Sequence, residues 1–276
     1  MRFISSLILF AIIAYGGWWM WNNNSALQRF VQQKLDSGKF RTIEERFSAE
    51  QIMTLHSAEL LKDESHSYLE PALLFHPYLI MEVKYIMKDS NITGEGTILW
   101  GQEDGEMVID TKTWEKTHGF EDAINAGADR NDFRVINAIS ERGGTMSRED
   151  LAQELHTNSD VLDAWLDSVR RKQLVLRNKN EYKLHFHKPR FNILPVTKMD
   201  SWIVTKPYKG ANRVPRKYTK SQIARISKAA FGNHFTIRTI SEVFLPIHSI
   251  KVQNPDGSVM TSHWNAVNGK RISGGY

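Results

Sequence analysis

Ten histidines are the residues with the most chemistry to offer, and their spacing makes little of it. They stand at His56, His66, His76, His118, His156, His185, His187, His234, His248 and His263. Only His185-x-His187 puts two imidazoles on one face of a strand, where they could share a metal. No third ligand stands at a recognisable spacing, so the pair reads as surface histidines. Glu70 and Glu82 flank His76 at spacings tied to no acid–base reaction and read as strand-end charges. The chain has no His-Glu-x-x-His, Gly-x-x-x-x-Gly-Lys, Gly-x-Gly-x-x-Gly or Gly-x-Ser-x-Gly. It also has no cysteine, which excludes disulfides, thiolate zinc sites and cysteine nucleophiles. The prediction is a non-enzymatic protein with no catalytic residue, no cofactor and no bound metal. A hydrolase with an unrecognised site is the remaining enzymatic reading.

Binding chemistry is better represented. Residues 206–220 hold Lys206, Lys209, Arg213, Arg216, Lys217 and Lys220 and no acid, with Tyr208 and Tyr218 interleaved. Pro207, Gly210 and Pro215 make this stretch a loop. Three readings compete for it. It is a solvated linker, or a contact for anionic lipid at about 1 kcal/mol per basic side chain, or a grip on an acidic protein segment or nucleic-acid backbone. A second candidate is the outward face of a helix over 159–172, which carries Asp160, Asp163 and Asp167. Carboxylates there repel phosphates, so this face favours protein docking over DNA. Charge along the chain is uneven in the same sense. Residues 1–129 carry 11 Lys/Arg against 19 Asp/Glu, whereas residues 191–276 carry 13 against 3. The basic end suits an acidic partner.

Several elements must position these groups. Residues 3–21 are uncharged and as a helix span about 28 Å, one hydrocarbon core. The segment ends in Trp18, Trp19 and Trp21, bulk suited to a lipid–water boundary, with no small-x-small cleavage site after it. It predicts a retained transmembrane anchor. Arg29, Lys34, Lys39 and Arg41 follow it and place the C-terminal body in the cytoplasm, against a bacterial inner membrane. Residues 26–35 read as a short amphipathic helix. Ser48 and Gln51 form a capping-box pattern at the next helix start. Strands are expected over 79–85, 94–100 and 106–110, with Asp104-Gly105 as a hairpin turn.

That order recurs. Thr219 and Gln222 repeat the capping pattern, Phe244-Leu245-Pro246 repeats Phe75-His76-Pro77, and Trp264 with Gly269 repeats Trp100 with Gly105. The prediction is a duplicated helix-plus-three-strand unit, at 48–110 and 219–273. The unit resembles PepSY or cystatin-like modules, which occur in membrane-anchored bacterial proteins, and no functional residue carries over from that likeness.

Between the copies, helices are expected over 133–142, from Ser147, and over 159–172, followed by a hairpin with its turn at 177–180. The run TMSREDLAQELHTNSDVLDAWLDSVRRKQLV, from Thr145 to Val175, together with this hairpin, resembles a winged-helix domain. The resemblance covers about 60 residues and implies a fold that serves DNA binding and protein docking alike.

The expected architecture is α+β: an N-terminal transmembrane helix, then two small helix-plus-antiparallel-sheet units flanking a winged-helix-like domain. Boundaries are a 3–21 anchor, a 22–47 juxtamembrane helix and linker, a 48–129 first unit, a 130–190 winged-helix-like domain and a 191–276 basic second unit. The expected function is a membrane-anchored adaptor or structural subunit, with bacterial secretion or conjugation machinery as one setting. Its expected partners are other protein subunits, the membrane itself, and an acidic protein segment or anionic lipid, with nucleic acid ranked below these. The alternative is a membrane-tethered, DNA-binding transcription regulator.

Overall fold

Long apolar runs bounded by turn residues set most of the body into strands. The structure is a computed structural model that describes residues 38–87, 92–186, 189–190, 192–207 and 210–272. In chain order it opens with β1 (Lys39–Ile43), α1 (Ala49–Leu55), α2 (Ser57–Leu60), β2 (Ser67–Tyr68), β3 (Ala72–Ile86) and β4 (Thr93–Gly101). Then come β5 (Met107–Asp110), β6 (Glu115–Lys116), α3 (Phe120–Asn125), α4 (Arg130–Glu141), β7 (Thr145–Ser147), α5 (Arg148–Glu154) and α6 (Ser159–Arg171). The chain continues with β8 (Val175–Asn178), β9 (Glu181–Leu184), β10 (Ile203–Pro207) and β11 (Asn212–Arg213). It closes with α7 (Lys220–Phe231), β12 (Thr236–Gln253) and β13 (Val259–Asn265). Two units divide it: residues 1–40 with 205–210, and residues 41–204 with 211–276. In the first, the described residues are Gly38, the start of β1, most of β10 and Gly210. All that follows concerns the second.

One mixed sheet runs β1–β12–β3–β4–β5–β6, with β13 and β2 also paired to β12 and β11 to β3. This corrects the expectation of two separate small sheets. The long strands of the two motif-matched segments, copies in their shared order of motifs alone, pair with each other, β12 antiparallel to β3 from Thr236↔Lys84 to Pro246↔Phe75. The reason lies in strand length and burial. Strand β3 has 15 residues and β12 has 18, and each is buried on both faces near its middle, as central strands are.

The repeated motifs face each other across this pairing: Pro77 opposes Phe244, His76 opposes Leu245, and Phe75 opposes Pro246. Contacts on one side recur on the other. Gln102 N–H donates to Pro77 O at 3.0 Å, and Ala266 N–H to Pro246 O at 3.1 Å. The amides of Lys217 and Tyr218 both donate to Gln102 O, and those of Arg46 and Phe47 both donate to Ala266 O. Arg213 pairs in parallel with Phe75, and Thr42 in parallel with Phe244. The residues leading into each capped helix therefore bind the hairpin of the other copy. Helix α1 follows suit, with Ile52 packed beside Ile250, Val252 and Trp264. Helix α7 brings Ile223 and Ile226 into the core that contains Trp100.

Both capping boxes form as the sequence spacing requires, on Ser48/Gln51 and Thr219/Gln222. The two turn glycines have φ near +70°, where an L side chain is strained, and each lies under the other copy's aromatic. A Cβ on Gly105 would meet Tyr218 at 3.0 Å, and one on Gly269 would meet Phe47 at 3.2 Å. Gly105→Ala and Gly269→Ala should each cost about 1–2 kcal/mol of stability, read from urea unfolding. A substitution that leaves the midpoint unmoved would show that the exchanged contact at that turn is loose.

Residues 130–186 form an inserted helical module with its own three-stranded sheet, ordered β7–β9–β8. Asp129 and Asp132 make a capping box on α4, Ser147 caps α5, and Asn158 caps α6. The module shares a core with the sheet. Phe120 lies 4.8 Å from Trp100, 5.9 Å from Phe133 and 6.1 Å from Phe231, ring centre to ring centre.

Among the described residues no helix is long and apolar enough to cross a membrane. The longest, α6, has 13 residues, about 20 Å, and it is amphipathic, with a buried Leu162, Leu166 and Val169. The expectations of a transmembrane helix, a single-pass inner-membrane protein and a cytoplasmic orientation are corrected accordingly, and the secretion setting has no support. Trp18, Trp19 and Trp21 of the expected anchor lie outside the described residues, as does the helix expected over 26–35.

Candidate functional site

Helix α6 turns Leu162, Leu166 and Val169 inward, which leaves Asp160, Asp163, Ala164, Asp167 and Arg171 exposed. The chain then reverses through Gln173, at φ +56°, into β8, where Val175 is buried and Leu176 is exposed. Between helix and strand lies a groove of about 670 Å³, lined by Ala164, Asp167, Arg170, Arg171, Val175, Leu176 and Arg177. Apolar groups and three arginines share it. Leu176 is 49% exposed, and Val161 on the first turns of α6 is 39% exposed.

The three aspartates of the expected docking face differ in their surroundings. Asp160 is exposed in the first turn of α6, where it suits the helix dipole. Asp163 accepts two hydrogen bonds from Arg148, at 2.8 and 2.9 Å, which hold its carboxyl below the usual range. Asp167 accepts from Arg170 at 3.2 Å. Two of the three thus carry a guanidinium partner, which offsets much of the repulsion expected from that face.

The basic residues are also partly engaged. Arg216 pairs with Glu242 at 2.8 Å, and Lys217 with Glu121 at 2.7 Å. Arg213 lies over the Phe244 ring at 5.4 Å. Lys220 is exposed in the first turn of α7. Lys206 belongs to the other unit, and Lys209 lies outside the described residues. Charge reversal at Arg216 or Lys217 would break an internal ion pair as well as any external contact, so Lys220 is the cleaner probe.

Of the histidines weighed for chemistry, His185 bonds Gln173 O through Nδ1 at 2.9 Å, and His187 lies outside the described residues. Among the described residues no group of three or more His, Asp or Glu is placed to hold a metal. His76 is buried and bonds Glu103, 27 positions on, at 2.7 Å, while Glu70 and Glu82 are exposed. Sequence spacing could not find Glu103, because a turn after β4 brings it back.

Two polar clusters, one half-buried at Lys116 and one buried at Glu106, were not legible either. Lys116 is in contact with Asp104 at 2.5 Å and lies over the Tyr78 ring at 5.4 Å. Burial alone would lower the lysine's pKa, but the Tyr78 hydroxyl and Asp104 outweigh it and raise it. Glu106 accepts from the Thr117 hydroxyl at 2.5 Å and from the amides of Gly119 and Glu121 at 2.8 and 3.0 Å. Those amides sit at the start of α3, so Glu106 satisfies orphan donors there. Residues 114–120 thus form the link that seats α3 on the sheet.

No family model, curated protein or solved structure matches the chain. The functional reading therefore rests on these surfaces alone.

Proposed function

We propose that the chain is a non-catalytic adaptor or structural subunit, and that its inserted module, read as winged-helix-like, carries the docking face. One observation supports this most: the open groove between α6 and β8, lined in part by the exposed Leu176, on a module anchored to the sheet through Phe120 and Phe133. Apolar side chains left in water beside a recess are surface that a partner can cover with gain. The polar clusters elsewhere fit this reading, because Glu106, Lys116 and Lys172 are engaged in holding the fold together.

A photo-crosslinking amino acid at Leu176, introduced into the full-length chain in its own cells, tests the proposal. The expected outcome is one discrete protein adduct from that position and none from the exposed Ser57 on α2. No adduct at Leu176 under conditions where the chain is folded would sink it. A second reading, DNA binding, gains from the Arg148 and Arg170 pairing of Asp163 and Asp167. Its mark would be duplex binding that weakens steeply with salt and depends on base sequence.

A further inference from the structure

We infer that the α6–β8 groove takes an acidic, amphipathic protein segment whose carboxylates are gripped by Arg171 and Arg177. The inference rests on the docking reading above and names the chemistry of the partner.

The groove has two parts that call for different chemistry. Its floor is apolar, from Ala164, Val175 and the exposed Leu176. Ala164 matters because its small side chain leaves the middle of the exposed helix face open to close approach. The rim is basic, with Arg170, Arg171 and Arg177 against one lining acid, Asp167, which Arg170 engages, and a neighbouring Asp163, which Arg148 engages.

The two remaining arginines are oriented in advance. Arg171 donates from Nε to Asp167 O at 3.3 Å, and Arg177 from Nε to Lys179 O at 3.0 Å. Arg177 also lies over the Tyr182 ring at 6.0 Å. In each case Nε is tethered to the backbone, and among the described residues the terminal nitrogens make no hydrogen bond or ion pair, although the Asp163 carboxylate, already held by Arg148, acts on Arg177 from a distance. A guanidinium held in this way presents a fixed fork, which suits a carboxylate and loses less freedom on binding than a loose side chain.

Nucleic acid fits the same groove poorly. A phosphate backbone gains nothing from an apolar floor. A helix that enters the major groove offers its first turn to the bases, and the first turn of α6 carries Asp160. The arginines stand at its other end. A protein segment with apolar residues between acids matches both floor and rim.

The test selects a display library of random linear peptides on the full-length chain and measures the winners by fluorescence anisotropy. A random-sequence DNA duplex is measured in parallel. Enriched peptides should carry Asp or Glu interleaved with apolar residues. Their affinity should fall about tenfold or more in the Arg171→Glu, Arg177→Glu double variant. It should hold in a charge-matched double variant on exposed α7 positions, Arg225→Glu with Lys228→Glu. Arg171→Gln with Arg177→Gln should give a smaller loss in the same direction, which guards against a folding defect in the reversed pair. Enriched peptides without acids, or acidic peptides indifferent to Arg171 and Arg177, would overturn the inference while leaving the docking reading in place. A duplex bound more tightly than any selected peptide would overturn both.

Discussion

Lys172→Met should lower the stability of the chain by about 3–5 kcal/mol. Asp132, on α4, is fully buried, and the Lys172 ammonium is in contact with it at 2.5 Å. The same ammonium reaches Asp129 at 3.0 Å, and Ser168 donates to the other oxygen of Asp132 at 2.8 Å. Asp132 also accepts the Asp129 amide as part of the α4 capping box. Methionine fills the space of the lysine stem but removes the charge, so a buried carboxylate is left with hydroxyl and amide partners only. That loss of one partner, rather than the net worth of the ion pair, sets the size of the effect. Asp132→Asn added to Lys172→Met should restore part of the stability, because the uncompensated charge is then gone. Urea unfolding of the two variants checks this. A loss under about 1 kcal/mol for Lys172→Met would mean that water reaches Asp132.

A second large effect concerns pH. Burial pushes the Glu106 carboxyl from its ordinary value of 4.5 up to about 7, against the hydrogen bonds from Thr117, Glu121 and Gly119 that favour the anion. Between these two values the folded chain holds a proton that the unfolded chain has released. The stabilisation from Glu106 is therefore full below about pH 4.5 and lost as pH rises through about 7. Its size is at most about 3 kcal/mol. Glu106→Gln should flatten this part of the profile. Its carbonyl can accept the Gly119 and Glu121 amides, and its amide can donate to Thr117 Oγ1, which turns toward Met107 O at 3.3 Å. Above pH 7 the variant should equal or exceed the parent chain. Urea midpoints taken from pH 4.5 to 8 on both proteins decide the matter, and parallel profiles would refute the role of Glu106.

What could be read from the sequence was local. The capping boxes at Ser48 and Thr219, the helix starts at Ser147 and Ser159, and the paired Phe-x-Pro and Trp-to-Gly motifs are set by residues within a few positions of one another. The exchange of partners between the copies was not readable. Period-two alternation says that a strand has two faces, not which distant strand lies beside it. The same limit applies to the candidate site. Asp160, Asp163 and Asp167 could be placed on one helix face from their spacing, but the Arg148 that neutralises Asp163 stands 15 positions earlier, in another helix. Arg171 and Arg177 belong to different elements, and no spacing pairs them, because the groove between them exists only once β8 folds back along α6.

The exchanged contacts also govern how the chain reaches its native state. Thr42 bonds to Phe244 O across 202 positions, and His248 to Phe47 O across 201. Helix α1 has no buried face to rest on until β12 and β13 have been made, so the first third of a nascent chain must wait for the last. Folding should be slow for a chain of this length, since loops of that size close before any contact rewards them. A chain cut before β12 would leave Ile52 and Leu60 without Ile250, Val252 and Trp264, and that uncovered apolar surface would fall to chaperones and proteases.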